Sequence, residues 1–254
     1  MNLFADAVDW ILDPANYTGL NAIPLRLAQH LLFTMVTLLI ASVIAIPLGY
    51  LIGHTGRGRG LAVTTSGGLR AIPTLGLLTL VALWVGVGVV APYVALTVLA
   101  IPPILAGAYT GFEAIDRRTV DAARAVGMSE LQIVRKVEVP LGLPLLIGGL
   151  RSATLQVIAT ATLAAYVADL GLGRYLFSGL KTRDYAEMLG GSILVILLAL
   201  LLEGIFALIQ RFVVPRGVSG RLATAKASTQ KASTPSSSTT STSTTITGRS
   251  TGAR

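Results

Sequence analysis

The chain has 254 residues, 53% of them hydrophobic and only 13% charged, and a mean hydropathy of +0.72. A soluble domain carries about a quarter charged residues, so this composition excludes an ordinary water-soluble globule. The net charge of +8 would suit a nucleic-acid partner, but the basic residues gather in loops beside apolar runs, and no nucleic-acid surface is expected.

In chain order, MNLFADAVDWILDP places Phe4, Val8 and Ile11 on one face at helical spacing. Two readings stand: a short helix in the outer interface with Trp10 at the headgroups, or a frayed terminus. No basic start or small-residue cleavage site marks a signal peptide, and residues 1–26 are taken as an external segment. Residues 27–56 contain no Asp, Glu, Lys or Arg, and neither do residues 71–112. A bilayer core of about 30 Å takes about 20 apolar residues per helix. The predicted spans are 30–53, 61–86, 90–112, 142–168 and 188–210, the last two interrupted once each, by Arg151 and Glu203. The domain 27–215 is therefore expected to be an all-α, polytopic membrane protein of about five transmembrane helices. Residues 216–254, rich in Ser and Thr, are expected to form a disordered cytoplasmic tail. With no cysteine, thiol catalysis, disulfides and cysteine metal sites are excluded. His30 and His54 flank the first span at opposite ends and cannot pair as ligands on it.

Orientation follows from the basic residues. With the N-terminus outside, the segments 54–60, 113–141 and 211–226 hold eleven Lys and Arg, against four outside, namely Arg26, Arg174, Lys181 and Arg183. This obeys the positive-inside rule, and N-out/C-in is predicted.

The loop 113–140 is the most informative stretch. DAARAVGMSELQIVRKVEVP (121–140) reads as two short helices joined at Gly127, which can take the left-handed conformation that closes the first. Ser129 and Gln132 have the spacing of a capping box, with Met128 and Ile133 as a hydrophobic staple. Pro140 is expected to stop the second helix. Ala122 and Ala123 offer a small face and Leu131, Ile133, Val134 and Val137 an apolar one, the design of a helix that docks in a partner's groove. No GxxxxGK[ST] phosphate loop occurs, so a nucleotide-driven motor would be a separate subunit.

Asp121, Ala122, Ala123, Gly127, Val137, Val139 and Pro140 resemble the "EAA" loop of ABC importer permeases, with Asp in place of the family's usual Glu. ANYTGLNAIPLRLAQHL (15–31), RAIPTLGLLTL (70–80), residues 143–180 and residues 183–203 look like permeases of osmoprotectant importers, which take up glycine betaine, carnitine, choline or proline-type solutes. The resemblance implies a type I importer permease in a bacterial inner membrane, paired with an identical or paralogous permease. Two ABC ATPase subunits would receive the coupling loop inside, and an extracytoplasmic substrate-binding protein would dock outside. It further implies that this chain binds no cofactor, ATP and Mg belonging to the partner ATPase. An importer for another small solute such as an amino acid, a secondary transporter or channel, and a membrane scaffold are the alternatives.

Three further expectations concern the spans. Counting at 1.5 Å per residue puts Arg151 and Glu203 at similar depth, either as an ion pair or as separately solvated charges. Ile72, Pro73 and Thr74 would kink the second span, either as a wall of the pathway or as a packing adjustment. Ala159, Ala161, Ala164 and Ala165 would let the fourth span pack closely. The outer segment 169–187, with charges of both signs, reads either as a binding-protein contact or as a plain solvated loop.

Overall fold

The computed structural model describes residues 2–213. The tail expected over 216–254 lies outside the described residues. The elements are helices α1 (Leu3–Leu12), α2 (Ile23–Thr55), α3 (Arg59–Ala71), α4 (Thr74–Val85), α5 (Val90–Glu113), α6 (Arg117–Ala125), α7 (Glu130–Ile133), α8 (Val139–Ala161), α9 (Gly173–Thr182) and α10 (Tyr185–Val213).

Helices α2, α5, α8 and α10 are long and apolar enough to cross a membrane. The fifth crossing is the pair α3–α4, bent by 89°. Its status follows from α2 and α5, which run parallel: Phe33 lies against Tyr93 and Tyr50 stacks on Phe112, each with ring centroids 4.5 Å apart. The chain leaves α2 at one end and enters α5 at the other, so residues 56–89 must return across the same thickness. They do so along α5. Arg59 pairs with Glu113 at one end, and Leu78, Val81 and Ala82 pack on Ala91 and Ala95 at the other.

The expected continuous second span is thus corrected to a broken one. Pro73 forces the residue before it out of the helical region; Ile72 is extended at φ −72°, ψ 126°, and Pro73 becomes the N-cap of α4. The first span begins earlier than expected, at Ile23, because Arg26 and His30 are buried within the helix rather than marking its edge.

Helix α5 is the centre of the domain and largely buried, whereas α10 is mostly exposed. Two glycine seams let its neighbours approach. A Cβ on Gly111 would stand 2.7 Å from the Gly142 carbonyl of α8, and one on Gly149 would stand 2.6 Å from the Pro103 carbonyl of α5. On the other side, Gly49 and Gly53 of α2 sit against Ala108 and Phe112. These are small-xxx-small contacts, which suit helices that gain nothing from water exclusion and must gain from close packing. The alanines expected to do this in the fourth span are only partly used: Ala161 and Ala164 are buried but Ala159 is exposed. Pro103 cannot donate to the Leu99 carbonyl, and the Gln156 side chain of α8 donates there instead, at 3.2 Å.

Helix α1 is formed, and Trp10 on it packs within the chain. Its ring lies over Gly190 and meets Tyr175 edge-on at 5.0 Å, clamping α1 to α10.

Candidate functional site

The loop between α5 and α8 folds into a helical hairpin. Asp116 opens α6 by accepting from the Arg118 N–H at 3.0 Å. The helix closes in a Schellman arrangement: the Gly127 N–H reaches the Arg124 carbonyl at 2.9 Å and the Met128 N–H reaches the Ala123 carbonyl at 3.1 Å. This closure accounts for the spacing of the second alanine and the glycine. Gly127 sits at φ +83°, the left-handed region, and Ala123, four residues earlier, supplies both the carbonyl that accepts from Met128 and a small buried side chain in the hairpin core that Met128 packs against. Ser129 then caps α7, its Oγ accepting from the Gln132 N–H while its own N–H donates to Gln132 Oε1 at 3.0 Å. Val120, Ala123 and Ile133 form the hairpin's core, flanked by Ile115, Met128 and Val137.

Two expectations about this loop are corrected. Ala122 and Ala123 do not share an outward face: Ala122 is exposed and Ala123 is buried. Pro140 does not stop the second helix. It falls in the first turn of α8, and the path from Glu130 continues into that span through a π-helical turn, Val134–Glu138. The wider π-helical turn immediately before it gives the pyrrolidine ring room where an ordinary α-turn would set it against the carbonyl four residues earlier.

The outward surface of the hairpin is apolar at its tip and charged around it. Val126 is 78% exposed and Leu131 67%, on either side of Gly127. Asp121 is exposed and accepts from Arg124 at 3.3 Å, and Arg124 also donates to Glu130 through Nε at 2.8 Å and Nη2 at 3.0 Å. That guanidinium holds the Glu130 carboxyl below the usual carboxylate range. Val139 is half-buried and Pro140 exposed at the root of α8.

His54 and Glu138 are functional candidates that sequence reasoning missed. His54 closes α2 and sits between Glu138 (Nδ1 to Oε2, 2.6 Å) and Glu130 (Nε2 to Oε2, 3.2 Å). The available signal was a carboxylate two residues before Pro140, within a helix otherwise apolar on its inner side.

Elsewhere, Arg151 of α8 and Glu203 of α10 form a two-pronged ion pair, with Nε to Oε2 at 2.8 Å, and Arg151 Nη1 also donates to Gln210 at 3.3 Å. Ile72, Pro73 and Thr74 form the bend of the broken span, and Arg70 is exposed at the end of α3. At the outer end, Arg26 is 3% exposed and donates to the Asp169 carbonyl (3.0 Å), Asn21 (2.6 Å) and Gln29 (3.2 Å), and pairs with the Asp169 carboxylate at 3.1 Å. Segment 169–187 is not a plain loop: it contains α9, whose Tyr175 is buried and donates to the Asn21 carbonyl at 2.5 Å. Burial pushes the Tyr175 phenol up to about 12. Among the described residues, no group of three His, Cys, Asp or Glu could hold a metal ion.

Comparison with known proteins agrees with this architecture. The Bacillus subtilis (strain 168) glycine betaine/carnitine/choline transport system permease protein OpuCB is 30% identical over 195 residues, covering 77% of this chain and 90% of that protein. The osmoprotectant import permease protein OsmW of Salmonella typhimurium is 28% identical, covering 84% of this chain and 99% of that protein. Among solved structures, an inward-facing MetNI methionine ABC transporter chain superposes with a TM-score of 0.64 at 26% identity, over 74% of this chain and 94% of that one. The family model described as "Binding-protein-dependent transport system inner membrane component" matches residues 45–217, from the inner half of α2 through the hairpin and past the end of α10. The chain belongs to that family of transport-system membrane components, with the fold of a type I ABC importer permease.

Proposed function

We propose that this chain is the permease of an importer for small zwitterionic or quaternary-ammonium osmoprotectants, such as glycine betaine, choline or carnitine. Two permeases, identical or paralogous, would enclose the path, with the Ile72–Pro73–Thr74 bend on its wall. A substrate-binding protein would dock on the outer surface that includes α9. Two ATPase subunits holding ATP and Mg would receive the hairpin, through Asp121, Ala122, Val126, Gly127 and Leu131, and drive alternating access.

The observation that carries this reading is the hairpin itself. It is a rigid, self-cored element with two large apolar side chains exposed beside a tight glycine turn, on the side that the basic residues assign to the cytoplasm. Apolar side chains on an amphipathic element at an aqueous face call for a groove in a partner. The substrate class is supported by the names of the relatives, OpuCB and OsmW.

Gly127→Asp tests it. The substitution puts a charged side chain at the docking tip, where a Cβ meets nothing within 4 Å inside the chain. Membrane insertion should be normal, with ATP-dependent choline uptake and co-purification of the ATPase both lost. Normal uptake by this variant would refute the docking assignment. A wild-type complex whose uptake is competed by methionine and not by choline or glycine betaine would redirect the substrate class toward amino acids.

A further inference from the structure

The hairpin's apolar core contains only residues of the hairpin. What fastens it to the first span is His54. The ring is 18% exposed, and each of its nitrogens faces a carboxylate oxygen. The ring therefore bridges Glu138 and Glu130. One acceptor, Glu138, is the buried carboxylate of the described residues, at 4% exposure. A buried carboxylate is tolerated only when paired, and His54 is the partner the structure gives it.

The backbone is built around this contact. Glu138 ends the π-helical turn, in which the Val139 N–H reaches the Val134 carbonyl. Such a turn inserts one residue into the helix, rotating the residues on its N-terminal side by about 100° around the axis relative to those on its C-terminal side. It lets the Val137 side chain stay with the hairpin core while Glu138 faces α2. From the other nitrogen, contacts run His54–Glu130–Arg124–Asp121, ending on the exposed face of α6. From the same end of α2, Gly53 and, one turn further in, Gly49 press on α5.

The geometry points to His54 as a positioning residue that ties displacement of the coupling hairpin to the first span, and through its glycine contacts to α5. This rests on the hairpin being the docking element for the ATPase. His54 touches neither solute nor nucleotide; it acts through Glu138 and Glu130.

The test uses the chain reconstituted in proteoliposomes with its ATPase subunits and binding protein, reading choline uptake and ATP hydrolysis together. His54→Leu should keep hydrolysis within about twofold while choline moved per ATP falls about tenfold. His54→Asn, whose amide nitrogen stands where Nδ1 stands, should restore that ratio to within about threefold. Unchanged coupling in His54→Leu, or equal loss in both variants, overturns the inference. A second reading needs no ATPase: the chain has no cysteine, so spin labels at Thr55→Cys and Gln132→Cys report one distance in nanodiscs. That distance should broaden in His54→Leu and stay narrow in His54→Asn; a narrow distance in both refutes the latch. Should the unaltered complex move no choline, the importer reading fails on its own, and the label distance still decides whether His54 holds the hairpin.

Discussion

The two ends of α2 each carry a histidine, and the two are held in opposite ways. His30, at the outer end, is 1% exposed and has only backbone partners: its Nδ1 accepts from the Leu172 N–H at 3.3 Å and its Nε2 faces the Ile158 carbonyl at 3.1 Å. One acceptor and one donor define a neutral ring in one tautomer. His54, at the inner end, faces two carboxylates and no backbone group. Backbone partners belong to elements that are themselves fixed, so His30 pins the turn before α9 to α2. Side-chain carboxylates on a separate hairpin make a joint that can be loaded and released. The same residue type serves as a static pin outside and as a link between moving parts inside.

The contrast should show most visibly at the outer end. His30→Leu leaves the Ile158 carbonyl and the Leu172 N–H without partners in a buried site. At about 1–3 kcal/mol for each stranded group, this variant should lose several degrees of thermal stability and much of its yield in detergent. Transport per folded molecule should be little changed, the reverse of the pattern expected for His54→Leu. Next come the two left-handed glycines beside the two ends. Gly171 is at φ +67° with its would-be Cβ 2.9 Å from His30 Nδ1, whereas Gly127 is at φ +83° with open space around it. Gly127→Ala should cost only the backbone term of about 1–2 kcal/mol, and Gly171→Ala should cost visibly more in the same thermal-shift measurement.

The smallest effect is acidic. The Arg124 contact depresses the Glu130 carboxyl. A depressed carboxylate stabilises the folded hairpin above its unfolded-state value, and that contribution is lost as pH falls through the lower, folded value. The Arg124–Glu130 pair should therefore survive mild acid and open only below the usual carboxylate range. NMR titration of Glu130 checks this, and Arg124→Leu should move its midpoint upward.

How much of this was legible in the sequence depends on how local the cause is. The spans were readable because charge-free runs of membrane length are a property of single segments. The hairpin was readable because Ser129 and Gln132, and Arg124 and Gly127, interact within one turn of one another. The broken span was half legible: Pro73 announced a kink, but an 89° bend depends on what α5 offers on either side of it. The Gly49/Gly53 and Gly107/Gly111 repeats were present but stood beside the more numerous alanines of the fourth span, which drew the packing expectation. Arg26–Asp169 and His54–Glu138 join residues 143 and 84 positions apart, and no local pattern encodes such meetings. Pro140 misled because a proline reads as a terminator unless a π-helical turn is known to precede it.

The contact between Pro103 and Gln156 has a mechanical meaning. The amide of α8 supplies the hydrogen that the imino ring of α5 lacks, and from that stitch toward the hairpin the two helices touch backbone to backbone at Gly107, Gly111, Gly142 and Gly149. Sliding would tear the stitch and jam the glycines, so α5 and α8 must travel as one plate. Relative movement within the domain is then left to the plate's margins, and the 89° elbow at Ile72–Pro73 lies on one of them.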